Sequence, residues 1–280
     1  IATVYCSPVD SGGTTDAFLA RMSWNGAIIV NKWLYRFPDR PNSSNESGVA
    51  IAADGLSTLY VGGRTEGSMC TDPTCMTWTT APARPMSKGY VYKVVLDASK
   101  DISSVSLFAE LENDGPAIDR STTVIALAVV KKGPNGNSAV AIGGVMGGGK
   151  DHSDIGNACH QEPFDLQAIG GPPYTKADYL HPHGYVWVLN TDGTIHKKYS
   201  LVSELIHETA GIFSLYSNAD TLYFGGYTCG NMPGWVRGPS TNGAVSDLDF
   251  SDLPKHKGGD TSPDFETMDA VFGVKLIPPN

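Results

Sequence analysis

The sequence predicts an all-β chain, a β-propeller of four-stranded antiparallel blades with long insertions on one face. Three observations lead there. The residues TLYVGG at 58–63 return as AVAIGG at 139–144 and as TLYFGG at 221–226, about 81 positions apart. Self-similarity at a fixed period marks a repeat architecture. Period-two and short apolar runs fill the chain, and helical periodicity is nearly absent, with LVSELIHE at 201–208 its best candidate. Asn-Gly and Asp-Gly turns, which tolerate the positive φ of tight hairpins, separate the runs in WNG, ADG and NTDG. A β-sandwich is the alternative reading.

The expected strands follow in order. ATVYC predicts a strand at 2–6, AFLARMS one at 17–23 and AIIVNKWLY one at 27–35, the last two split by WNG. A unit then begins with the apolar run VAIAA at 49–53 and continues, after ADG, with TLYVG at 58–62. It resumes with YVYKVV at 90–95 and SVSLFAE at 104–110. A second unit repeats the plan with TVIALAVV at 123–130, AVAIG at 139–143, YVWVLN at 185–190 and IHKKYSL at 195–201. A third opens with GIFSLY at 211–216 and TLYFG at 221–225 and ends with a strand at 270–276. In each unit a Gly pair closes the second strand, where glycine permits close backbone approach. Trp24, Trp33 and Trp187 lie in or beside strands and read as packing residues.

These fourteen strands make three and a half blades, whereas a closed ring needs whole ones. The expectation is one propeller domain over 1–280, or part of a larger propeller completed by an additional chain. The segments 64–88, 145–183 and 227–269 each run from a second to a third strand, so a propeller would place all three on one rim. Insertions gathered on one face of a repeat protein read as its binding face.

Composition narrows the partners. The chain has 280 residues and a formal net charge of -9, with no basic stripe to neutralise phosphates, which argues against nucleic acid. No apolar run is long enough for a membrane-spanning helix. The chain opens directly on strand-like IATVYC, as a processed chain would. Five cysteines, Cys6, Cys70, Cys75, Cys159 and Cys229, read either as disulfides with one left over or as free thiols. Cys70–Cys75 and Cys159–Cys229 are the expected bridges. The sequons at Asn42 and Asn45 point toward a secreted or extracellular glycoprotein.

GVAIAADGLSTLYVGG at 48–63, GYVYKVVLD at 89–97 and HETAGIFSLYSNADTLYFGG at 207–226 resemble units of the broad propeller superfamily that includes NHL-type and SMP-30/strictosidine-synthase-like proteins. From the residues themselves, Glu46, Asp119 and Glu208 precede first strands and would converge on a channel mouth, where carboxylates suit Ca2+. The resemblance adds a metal site of this general kind, supporting Glu46 and Glu208. Asp151 and Asp154, in GGGKDHSDIGNACH, are further metal candidates. His207 beside Glu208, and His181, are candidate catalytic bases. His183 shares a strand face with His181 if the chain there is extended. With Trp78, Tyr174 and Trp235, whose aromatic faces sit among Gly, Asn, Asp and Thr, it is a candidate ligand-binding residue.

The leading expectation is a secreted protein that recognises a glycan or protein partner through propeller loops. A calcium-dependent hydrolase or lactonase with the metal at the channel mouth is the second reading, and a structural piece of a multichain assembly the third. Enzymatic activity is left open between them. G-x-S-x-G, Walker A, H-E-x-x-H and dinucleotide motifs are absent from the sequence.

Overall fold

The computed structural model describes residues 2–8, 15–24, 26–27, 29–37, 46–72, 76–79, 87–111, 122–131, 137–146, 183–201, 210–218, 221–228 and 269–272. The strands among them are β1 (Ala2–Pro8), β2 (Thr15–Trp24), β3 (Ile29–Arg36), β4 (Glu46–Asp54), β5 (Thr58–Thr65), β6 (Lys88–Leu96) and β7 (Ile102–Leu111). They continue with β8 (Thr122–Val130), β9 (Ala139–Met146), β10 (His183–Leu189), β11 (Ile195–Leu201), β12 (Ala210–Asn218), β13 (Thr221–Thr228) and β14 (Asp269–Phe272). Each answers to one of the runs read from the sequence, and the helical candidate at 201–208 falls outside the described residues after Leu201. No helix among the described residues is long and apolar enough to cross a membrane.

The propeller itself is corrected. The strands form four separate antiparallel meanders, β1-β2-β3, β4-β5-β6-β7, β8-β9-β10-β11 and β12-β13-β14, and they do not close into a ring. With the ring go the resemblance to propeller families, the shared channel mouth and the single rim of loops. The chain divides instead into two compact units, Ile1–Glu112 and Asn113–Asn280. Within each unit a three-stranded sheet packs on a four-stranded one. Of the core clusters among the described residues, one lies within the first pair of sheets and one within the second.

In the first unit, Ala17 and Leu19 of β2 and the following Phe37 meet Val61 of β5, Tyr90, Tyr92 and Val94 of β6 and Val105 of β7. Phe37 stacks on Tyr92 with ring centroids 5.0 Å apart. The β6–β7 turn locks the two sheets. Arg21 donates to the carbonyls of Ser99 and Lys100, both at 2.8 Å, and Trp33 Nε1 donates to the Lys100 carbonyl at 3.1 Å. Lys100 holds a φ of 65°, a conformation uncommon for a side-chain-bearing residue. It directs Nζ to the Leu56 carbonyl of the neighbouring turn at 2.8 Å.

In the second unit, Ala128 and Val130 of β8, Ala139 and Ala141 of β9, and Val186 and Val188 of β10 pack with Ile212 of β12 and Leu222 and Phe224 of β13. Trp187 is fully buried. The hairpin turns behave as their sequences predict, with positive φ at Gly26, Gly55 and Gly193.

One joint recurs in three of the sheets and explains the glycine pairs. The strand before each pair carries a bulge, at Gly48/Ala50, Val124/Ala126 and Ile212/Ser214, where one extra residue bends the strand. The bend presses a carbonyl onto the second glycine. A Cβ there would sit 1.6 Å from the Ser47 oxygen at Gly63, 1.9 Å from that of Thr123 at Gly144 and 1.9 Å from that of Gly211 at Gly226. In two sheets a tyrosine from the next strand completes the joint, Tyr90 donating to the Ser47 carbonyl and Tyr185 to that of Thr123, each at 3.0 Å. The first glycine has another task. A Cβ at Gly143 would lie 2.7 Å from Ile212 Cγ2 on the facing sheet.

Candidate carbohydrate-binding face

The residues singled out from the sequence divide sharply. Asp119, Asp151, Asp154, Tyr174, His181, His207, Glu208 and Trp235 lie outside the described residues. His183 opens β10, opposite Met146. Glu46 and Trp78 belong to the first unit.

Glu46 begins β4 and pairs with Thr65 at the end of β5. Its carboxylate is buried, 5% exposed, and Oε1 accepts the Thr65 hydroxyl at 2.9 Å. The same hydroxyl oxygen accepts the Gly67 N–H at 2.9 Å. A backbone donor is thus relayed through threonine to a carboxylate, a charge-assisted arrangement that fixes the turn after β5. The chain then doubles back on itself. Thr71 N–H donates to the Thr77 carbonyl at 3.0 Å and Thr79 N–H to that of Met69 at 2.8 Å, and Cys70 forms an antiparallel bridge with Trp78. The Asp72 carboxylate accepts the Thr77 N–H at 2.8 Å. Tyr92 ties this loop to the sheet by donating to the Cys70 carbonyl at 2.9 Å. Burial, then the neighbouring Tyr35 and the Glu46 charge, push the Tyr92 hydroxyl well above its ordinary range, so it stays a neutral donor.

This arrangement is a structural strap. Glu46 secures a strand end and Trp78 closes a small ladder. The calcium centre is corrected: among the described residues no group of three His, Cys, Asp or Glu side chains gathers to hold a metal. With no such cluster among those residues and no ring, the metal-dependent hydrolase reading is withdrawn along with the propeller loop face. Among the described residues no complete disulfide is seen either. Cys70 takes part in a disulfide, but no two cysteines with described side chains form one, and Cys75, Cys159 and Cys229 lie outside the described residues.

The most ligand-like surface was not among the candidates. On the outward face of the β12–β13 hairpin, Tyr216 and Tyr223 stand directly opposite each other. Their ring centroids are 6.1 Å apart and their planes meet at 35°. Tyr216 is 65% and Tyr223 39% exposed. Ser214 and Asn218, two residues to either side of Tyr216 on the same face, are exposed as well. Opposite Ser214 lies Gly225, whose missing side chain leaves that rung shallow. β12 and β13 together contain no Asp, Glu, Lys or Arg.

The corresponding tyrosine of the first unit shows why sequence alone did not mark this face. Tyr60 holds the same place in TLYVGG that Tyr223 holds in TLYFGG, yet Tyr60 is only 2% exposed. Ala52 stands opposite Tyr60, and the Phe108 ring covers it at 4.9 Å. Tyr223 has Tyr216 for its partner. The signal available was the pairing of FSLYSN with TLYFGG across a short turn, but the bulge after Ile212 shifts the register and hides which residues share a face.

No protein-family model matches this chain, and no curated protein matches it.

Proposed function

We propose that this protein binds neutral carbohydrate on the outward face of the β12–β13 hairpin. The carrying observation is the exposed Tyr216–Tyr223 pair, direct partners across the β12–β13 register. Aromatic faces receive the apolar C–H face of a sugar ring, while nearby hydroxyl and amide groups bond its hydroxyls. Tyr216, Tyr223, Ser214 and Asn218 supply both parts. The absence of charged residues from both strands favours a neutral ligand over an anionic glycan or an ion-paired protein surface.

Isothermal titration with soluble neutral oligosaccharides tests this. Tyr216→Ala and Tyr223→Ala should each weaken binding by about 2- to 10-fold, in line with roughly 0.5–1.5 kcal/mol per aromatic contact. The double variant should bind at least as weakly as either, and Tyr→Phe replacements should retain most of the affinity. No binding across gluco-, manno- and chito-oligosaccharides, or unchanged binding in the double variant, refutes the proposal.

A further inference from the structure

We infer that this face takes a soluble glycan chain of at least two rings whose successive sugars turn relative to one another, and not a single sugar or the flat surface of a crystalline polymer. The inference rests on the carbohydrate reading above and narrows its ligand class. Two tyrosine planes that meet at 35° cannot both lie flat against one plane. A flat ligand surface engages one ring and lifts off the other. A chain that rotates between neighbouring sugars can lay one ring on each tyrosine.

The backbone sustains this tilt. Tyr216 and Tyr223 are direct cross-strand partners, neighbouring strands lie about 4.8 Å apart, and each is rotated by roughly 20–25° against the next through the twist inherent to sheets. Twist supplies part of the 35° between the rings, and the side-chain torsions of the two tyrosines supply the rest. The two rings lie across the strands, so a chain engaging both crosses the hairpin. Ser214 and Asn218 stand to either side of that line, each about 7 Å along the strand from Tyr216, within reach of hydroxyls at the sugar edges. A single sugar covers one tyrosine and forgoes the other.

The test compares β-1,3-linked and β-1,4-linked gluco-oligosaccharides of one to four rings by titration, and microcrystalline cellulose by sedimentation, all with the full chain. Affinity should rise about tenfold from one ring to two and flatten thereafter. The β-1,3 series, whose chains coil, should bind more tightly than the ribbon-like β-1,4 series, and little protein should sediment with the powder. In Tyr216→Ala and in Tyr223→Ala the step between one and two rings should disappear, because only one stacking partner remains. Near-ultraviolet circular dichroism of each variant verifies that the fold is retained. Tyrosine-dependent binding that is equal for one and two rings, or preferential retention on the crystalline powder, overturns this inference and leaves the carbohydrate reading standing. Failure of every sugar to bind overturns both.

Discussion

A buried tyrosine hydroxyl couples the stability of the second unit to pH. Tyr185 is fully buried, and burial pushes its hydroxyl far above the usual tyrosine value. It stays protonated in the fold at pH values where an unfolded chain would lose the proton. The sign follows from linkage: the contribution is intact below about pH 10 and declines as pH rises beyond it, by about 1.4 kcal/mol per pH unit for each such tyrosine. Tyr92, raised for the same leading reason, adds to the trend. Urea unfolding from pH 9 to 12 should therefore show an alkaline loss of stability. Tyr185→Phe should show a shallower loss, while costing about 1 kcal/mol near neutrality through the donor withdrawn from the Thr123 carbonyl. Equal slopes for both proteins would contradict this account. None of this was legible in the sequence, where Tyr185 is one aromatic in an apolar run and its acceptor lies 62 residues away.

For single elements, the recurrent Gly-Gly joint joins sequence to geometry most directly. The repeat of TLYVGG, AVAIGG and TLYFGG was plain to read, and close backbone approach at the glycines follows from their chemistry. Its partner, the bulge one strand earlier, was not, because GVAIAAD, TTVIALAVV and GIFSLYS share no residue that announces it. Gly144→Ala should destabilise the second unit by about 3 kcal/mol or more, since the added methyl would meet a backbone oxygen rather than a movable side chain. Chemical denaturation measures this directly, and a loss below 1 kcal/mol would show that the bulge yields. The third joint is built differently. The register position held by Tyr90 and Tyr185 in the other sheets is occupied opposite Gly226 by Val271, a residue without a hydroxyl.

Across the whole chain, local pattern and global closure part company. Strand positions, hairpin turns and the all-β class could be read residue by residue, because alternation and turn chemistry act over a few positions. Whether four meanders form a ring or pack in pairs depends on which sheet covers which apolar face. That Leu19 shares a core with Tyr92, or Val130 with Ile212, leaves no local trace. The candidate site was less legible still. The sequence points to carboxylates, histidines and aromatics in the long connections and before the first strands, whereas the exposed pair sits inside the paired strands β12 and β13. Because the described core cluster of the first unit lies entirely within Ile1–Glu112, a fragment of residues 1–112 should fold alone and unfold cooperatively on heating. A gradual transition without a heat-absorption peak would refute that independence.

The nine residues of β8, TTVIALAVV, contain no charge, and Val124, Ala126, Leu127, Ala128 and Val130 are buried. In the finished molecule β12 lies against this strand, yet β12 starts at Ala210, 80 positions after Val130 (210 − 130). At about 5–20 residues per second, a ribosome takes roughly 4–16 s to supply that cover. Throughout that interval a sticky, uncharged ribbon waits on the nascent chain. A lower growth temperature and co-expressed chaperones should therefore raise the soluble yield of this protein, which the soluble fraction recovered under each condition measures.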